Sequence, residues 1–185
     1  KVFKQTAPVI KLPDGTSEAD HFVLLGLLNS SLACFWGRQT FFPKGGFADG
    51  KWEERLEWDG TKLKRFPIPQ RMNDDTEEGE RLLPGYDAIE SLAYQLDQLA
   101  LELASLMPKQ VLVNAEGATV LNCLDTNRQK AELIRAQMVA MQEELDWLCY
   151  YVYGITDQCL TCNGDVQPVN CPWAKARRHG LLAIN

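Results

Sequence analysis

TNRQKAELIRAQMVAMQEELDWLCYYVYG, residues 126–154, decides the fold. Ala131, Ile134, Met138, Met141, Leu145, Leu148 and Val152 recur three and four apart, which places them on one stripe of a 3.6-residue helix. Glu132, Arg135, Gln142 and Glu143 fall off that stripe. The spacing predicts a helix over residues 126–153, roughly 42 Å long at 1.5 Å per residue. Thr126 with Gln129 fits a capping box at its start, and Gly154 stands where a left-handed residue ends a helix. A stripe of this length needs a partner. Upstream, Ile89, Leu92, Leu96, Leu99, Leu103 and Leu106 repeat the spacing, which predicts a second helix from about Asp87 to just before Pro108. Together they predict an antiparallel helical hairpin.

Before the hairpin the patterning changes. Residues 1–12, rich in Val, Ile and Phe, read as a strand that ends at the turn signature Pro13-Asp14-Gly15. A helix is expected over residues 18–39, capped by Ser17 and Asp20. Its apolar stripe is Leu24, Leu25, Leu28, Leu32, Phe35 and Trp36. Asn29, Ser30 and Ser31 in its middle read as solvent-side residues or as small residues for close packing. Residues 40–60 read as irregular, with aromatic and basic residues interleaved. Pro67-Ile68-Pro69 enforces an extended path. The fold class expected is α+β, predominantly α. A partial α/β portion (1–71) is followed by an acidic linker (72–85), the hairpin or spacer (86–156) and a cysteine-containing tail (157–185). Residues 109–124 read as a connection between the two long helices.

A chain of 185 residues has room for one domain, or one and a half, with a real core. Residues 1–71 hold 11 Lys and Arg against 8 Asp and Glu, a net +3. Residues 72–185 hold 8 against 17, a net −9, and together these give the −6 of the chain. Any surface for nucleic acid is therefore expected in the first third or at the short basic end Lys175, Arg177 and Arg178. No apolar run reaches the roughly 20 residues that cross a bilayer, so no membrane partner is expected. Without a secretory signal the six cysteines are expected as reduced thiols in a cytoplasmic protein. Cys34, Cys123 and Cys149 lie in helical apolar runs and are expected to pack as small hydrophobes. The start at Lys1, already strand-like, reads as a piece of a longer protein.

Three stretches now stand in order: LLGLLNSSLACFW (24–36), GTKLKRFPIP (60–69) and QMVAMQEELDWLCYYVYGI (137–155). Their order and wording resemble the C-terminal part of large bacterial N6-adenine DNA methyltransferases, the PglX enzymes of BREX-type phage defence. APVIKLPDGTSEADH (7–21) is similar too. The resemblance extends more distantly to fused restriction-methylation enzymes and to type I specificity subunits. It implies a target-recognition region containing the L-L-x-x-L-N-S helix, closed by a strand ending in F-P-I-P and followed by helices. It also implies a parent enzyme that uses S-adenosylmethionine, with double-stranded DNA and other defence subunits as partners. Neither the glycine-rich cofactor loop nor the N-P-P-[YF] motif of that chemistry occurs here. No catalytic residue and no cofactor are therefore expected in this chain.

By position and type, the candidate DNA-facing residues are Arg38, Gln39, Lys44, Lys51, Lys62, Lys64 and Arg65. Lys and Arg would position phosphates, and Arg38 or Gln39 would reach a base edge. The other reading of the chain is a docking module without DNA contact. In the tail, Cys159, Cys162, Cys171 and His179 have the ligand types for tetrahedral zinc, although only the first pair has knuckle spacing. Reduced thiols are the favoured reading. Glu143, Glu144 and Asp146 read as a solvated helical face rather than a carboxylate site.

Overall fold

In the computed structural model, residues 9–48, 51–69, 85–110 and 120–162 are described. The described chain is predominantly helical. Its main elements are α1 (Glu18–Leu28), α2 (Ser31–Thr40), β1 (Pro43–Ala48), β2 (Lys51–Leu56), α3 (Gly60–Leu63), α4 (Tyr86–Ser105) and α5 (Val120–Val152). The two strands form one antiparallel hairpin, with Lys44 opposite Arg55 and Ala48 opposite Lys51. Among the described residues no further strand joins them, so no α/β layer stands beside the helices there. The strand expected over residues 1–12 falls mostly outside the described residues, and residues 9–12 are not in a strand.

α5 and α4 form the expected antiparallel pair. Gly85, at the start of α4, lies against Leu148 and Val152 near the end of α5. At the opposite end, Lys130 Nζ is 2.7 Å from Glu102 Oε1. The expected stripe is the buried one: Ala131, Ile134, Met141, Leu145 and Leu148 are all at most 6% exposed. α5 starts six residues before Thr126, which is an exposed interior position. Residues 120–125 contain no Gly or Pro, so nothing stops the helix from extending back through them. The C-terminus behaves as its sequence predicts. Gly154 has φ +68°, its N–H donates to Tyr151 O, and the Ile155 N–H reaches Tyr150 O at 2.8 Å.

The single helix expected over residues 18–39 is two helices bent by 62°. The break has a local cause. Ser30, fully buried, donates its hydroxyl to Leu27 O at 2.7 Å and accepts from Ala33 N–H as the N-cap of α2. Asn29 Nδ2 closes α1 by donating to Leu25 O. Asn29 and Ser30 thus cap two helices, where solvent-side residues or small residues for close packing were expected; Asn29 is exposed and Ser30 is packed inside. The buried face matches the expected one only in part: Leu28, Leu32 and Trp36 pack against the core as expected. Val23, Gly26, Leu27, Ala33 and Gly37 are inside, whereas Leu25 and Phe35 are 41% and 67% exposed. A segment apolar on every side has no unique stripe, so its orientation follows from which face admits the closest neighbour. That face holds Gly26. A Cβ there would stand 2.8 Å from Ile89 Cγ2, 3.3 Å from Ala93 and 3.4 Å from Leu145 Cδ1.

One core results. Val23, Leu27, Ala33, Phe66, Tyr86, Ile89, Leu145, Leu148 and Cys149 pack as a single cluster drawn from α1, α2, the segment after α3, α4 and α5. The F-P-I-P stretch belongs to it through Phe66, and it is not in a strand. Tyr153 donates to Pro67 O at 2.7 Å and Tyr86 donates to Pro69 O, so two phenols hold it against α4 and α5. Among the described residues no single helix is long and apolar enough to cross a membrane.

Burial decides the chemistry of one cysteine. Cys149 is fully buried, and burial pushes its thiol up to about 12, partly opposed by the Ser30 hydrogen bond. Burial also raises the Tyr153 phenol. Cys34 and Cys123, expected inside, are exposed along with Cys159 and Cys162. A thiol reagent at pH 8 is therefore expected to label these four while sparing Cys149, as peptide mapping will read. As pH rises past about 9 the unfolded chain releases the Cys149 proton while the fold retains it. The corresponding stability is complete below that pH and is lost between about 9 and 12. Melting temperature is expected to fall over that window, and less steeply in Cys149→Ala. An equal decline in the variant would place the source elsewhere.

Candidate nucleic-acid interface

An aromatic cluster joins α2 to the segment around α3, near the candidate basic residue Lys62. The Trp36 ring meets Phe66 at 5.2 Å and Phe41 at 5.7 Å, both edge-on. Phe41, 4% exposed, lies 4.4 Å from the Trp58 ring. Gly37 permits this, because a Cβ there would stand 2.9 Å from the Trp58 ring. Asp59 then caps α3 by accepting the Lys62 N–H at 2.8 Å. The aromatics expected to interleave with the basic residues thus partly serve to anchor these elements. Phe42 is 69% exposed.

Arg38 and Gln39 occupy the last turn of α2 and are exposed. Lys64 and Arg65, directly after α3, are also exposed. Lys44 and Lys51 lie on β1 and β2. Lys62 is different. Its Nζ stands 3.3 Å from the Phe42 ring centroid, 5.9 Å from that of Phe41 and 3.9 Å from Asp59 Oδ2. A cation over a ring face with a carboxylate at its side is engaged inside the molecule. The alternation of basic and aromatic residues carried no sign of this, because the contact depends on α3 folding back over residue 42. An apolar groove of about 460 Å³ lies alongside, between residues 9–11, α1 and α3, with Lys11 and Lys64 among its lining.

The carboxylates read as a solvated face are not one. Glu144 is 5% exposed and accepts the Cys162 N–H at 2.7 Å. Asp146 Oδ1 accepts the Ser31 N–H at 2.8 Å and a Gln142 amide hydrogen at 3.2 Å. Tyr150 OH meets Ser31 Oγ at 2.7 Å, and Gln142 also donates to Asn29 O. The N-S-S break is thereby held by residues 142, 146 and 150, one helical turn apart on α5. Of the zinc candidates, Cys159 and Cys162 are exposed, with Cys159 Sγ 3.3 Å from Thr161 Oγ1. Cys171 and His179 lie outside the described residues. Among the described residues no His, Cys, Asp or Glu group is arranged to hold a metal.

Over 179 residues the chain is 37% identical to the adenine-specific methyltransferase PglX of Streptomyces coelicolor, an alignment covering 92% of this chain. The chain resembles a segment of PglX. It spans 13% of that relative's length. No family model matches the chain, and no solved structure matches it. Because most of the chain aligns with so small a share of PglX, the α1–α2 break, the F-P-I-P stretch and α5 correspond to a part of PglX rather than to the whole.

Proposed function

We propose that this chain is a DNA target-recognition and helical-spacer segment of a site-specific adenine-N6 DNA methyltransferase of phage defence. In this reading it carries no catalytic residue, and the parent enzyme uses S-adenosylmethionine elsewhere in its length. The observation that carries the reading is the 37% identity to PglX across 92% of the chain. The exposed side chains Arg38, Lys64 and Arg65, with Lys44 and Lys51 on the hairpin, neutralise phosphates of double-stranded DNA. Gln39 or Arg38 supplies a base contact. The acidic α4–α5 pair acts as the spacer that carries this surface. The parent works in the cytoplasm, where its DNA and the other defence subunits are.

Affinity of this kind is electrostatic, so it is tested by its salt dependence. The chain is expected to bind duplex DNA with a Kd of about 10–100 μM at physiological salt, each phosphate contact adding about 0.9 to the slope of log affinity against log salt. Lys64→Ala with Arg65→Ala is expected to lower that slope by roughly two contacts' worth. Lys62→Ala is expected to leave the slope alone and lower the melting temperature instead. Fluorescence anisotropy with a labelled duplex reads all three. Absence of binding at low salt, or an unchanged slope in the double variant, would turn the assignment toward a docking module.

A further inference from the structure

We propose that the ring of Phe42 is a stacking platform for one DNA base that stands outside the helical stack. This rests on the DNA reading above and adds to it a residue that carries no charge. Phe42 is 69% exposed, whereas its neighbour Phe41 is buried. The exposed ring is nonetheless held. Lys62 Nζ stands 3.3 Å from its centroid and covers one face with a cation, and Asp59 Oδ2, 3.9 Å from that cation, keeps it in place. The Phe42 carbonyl accepts the Glu57 N–H at 3.0 Å, so its backbone is fixed as well. A ring with one face occupied and most of its surface in solvent presents the other face outward. Because that orientation is set before contact, the ordering cost of binding falls. The single free face narrows the ligand. A wedge driven between two base pairs needs both of its faces, whereas a platform takes one base whose own face has left the stack. The nearby charges favour nucleic acid. Arg38, four residues before the ring, and Lys64 and Arg65, just after its partner Lys62, are exposed, so a phosphate backbone is attracted to the segment that displays the ring.

The experiment measures binding of the 185-residue chain at low salt by fluorescence anisotropy. The labelled DNAs are a fully paired duplex, the same duplex with one unpaired adenosine, and that duplex with an abasic nucleotide at the unpaired position. An unpaired base leaves the stack at least cost, and the last two duplexes share charge and differ only in the base. A single strand carrying either the adenosine or the abasic nucleotide is run alongside. The adenosine duplex is expected to bind about tenfold tighter than the abasic one, as for one base on one aromatic ring. A gain confined to the single strand would assign the platform to single-stranded DNA. In Phe42→Leu, with unchanged far-ultraviolet circular dichroism, the gain is expected to vanish while the salt slope on paired duplex stays the same. Phe42→Trp, which keeps a flat face, is expected to retain it. The adenosine and abasic comparison uses the unmodified chain, so it decides even where a variant fails to fold. Equal affinity for adenosine and abasic DNA in both forms, or a gain that persists in Phe42→Leu, overturns the proposal, and binding to paired duplex then leaves the DNA reading standing. Absence of binding to every DNA overturns both.

Discussion

Leu145→Ala is expected to destabilise the chain by about 2–5 kcal/mol, the range for removing a buried leucine and leaving part of its volume empty. Leu145 is 1% exposed, and its Cδ1 lies where α1, α4 and α5 meet at Gly26. Collapse into the vacated space is restricted on the α1 side. Ser31, at the start of α2, is hydrogen-bonded to Asp146 and Tyr150, so the upstream helices cannot easily slide toward α5. The loss therefore falls in the upper part of the range. Glu143→Ala, off the stripe, is expected to stay within about 0.5 kcal/mol. Chemical denaturation of the two variants checks the pair, and equal losses would show that the long helix is rotated from the orientation described.

Gly26→Val is expected to cost about 1–3 kcal/mol from overpacking. The first added atom already meets Ile89 Cγ2 at 2.8 Å, closer than side chains approach, and the branched methyls have no free direction between Ala93 and Leu145. An exposed helical glycine would respond oppositely, because replacing it with Val relieves a propensity cost of roughly a few tenths of a kcal/mol. The sign of the change thus reports how tightly the helices meet. Combining Gly26→Val with Ile89→Ala removes the atom in the way, so the double variant is expected to lose less than the two single losses together. Additive losses in denaturation would show that the junction is looser than these distances imply.

The sequence by itself determined the elements whose cause is local or one-sided. The α5 stripe from Ala131 to Val152 is apolar on one face only, so its buried side was legible from spacing. Gly154 and the Pro13-Asp14-Gly15 turn were legible because positive φ and proline geometry belong to single residues. The wording of LLGLLNSS, FPIP and the α5 segment also pointed to PglX before any contact was known. Tertiary structure alone decided the rest. The apolar residues 22–28 of α1 run round the helix, so the fit of Gly26 against Ile89 and Leu145 selected its inner face. Ser31 became an anchor because Asp146 and Tyr150, more than a hundred residues later, supplied its partners. Glu144 read as a solvated charge and Lys62 as a DNA-facing one, since charge type carries no information about a backbone N–H at residue 162 or a ring at residue 42. Such partners are set by how distant segments pack, and that is where hydrogen-bonded and ring-bound charges part from those left exposed.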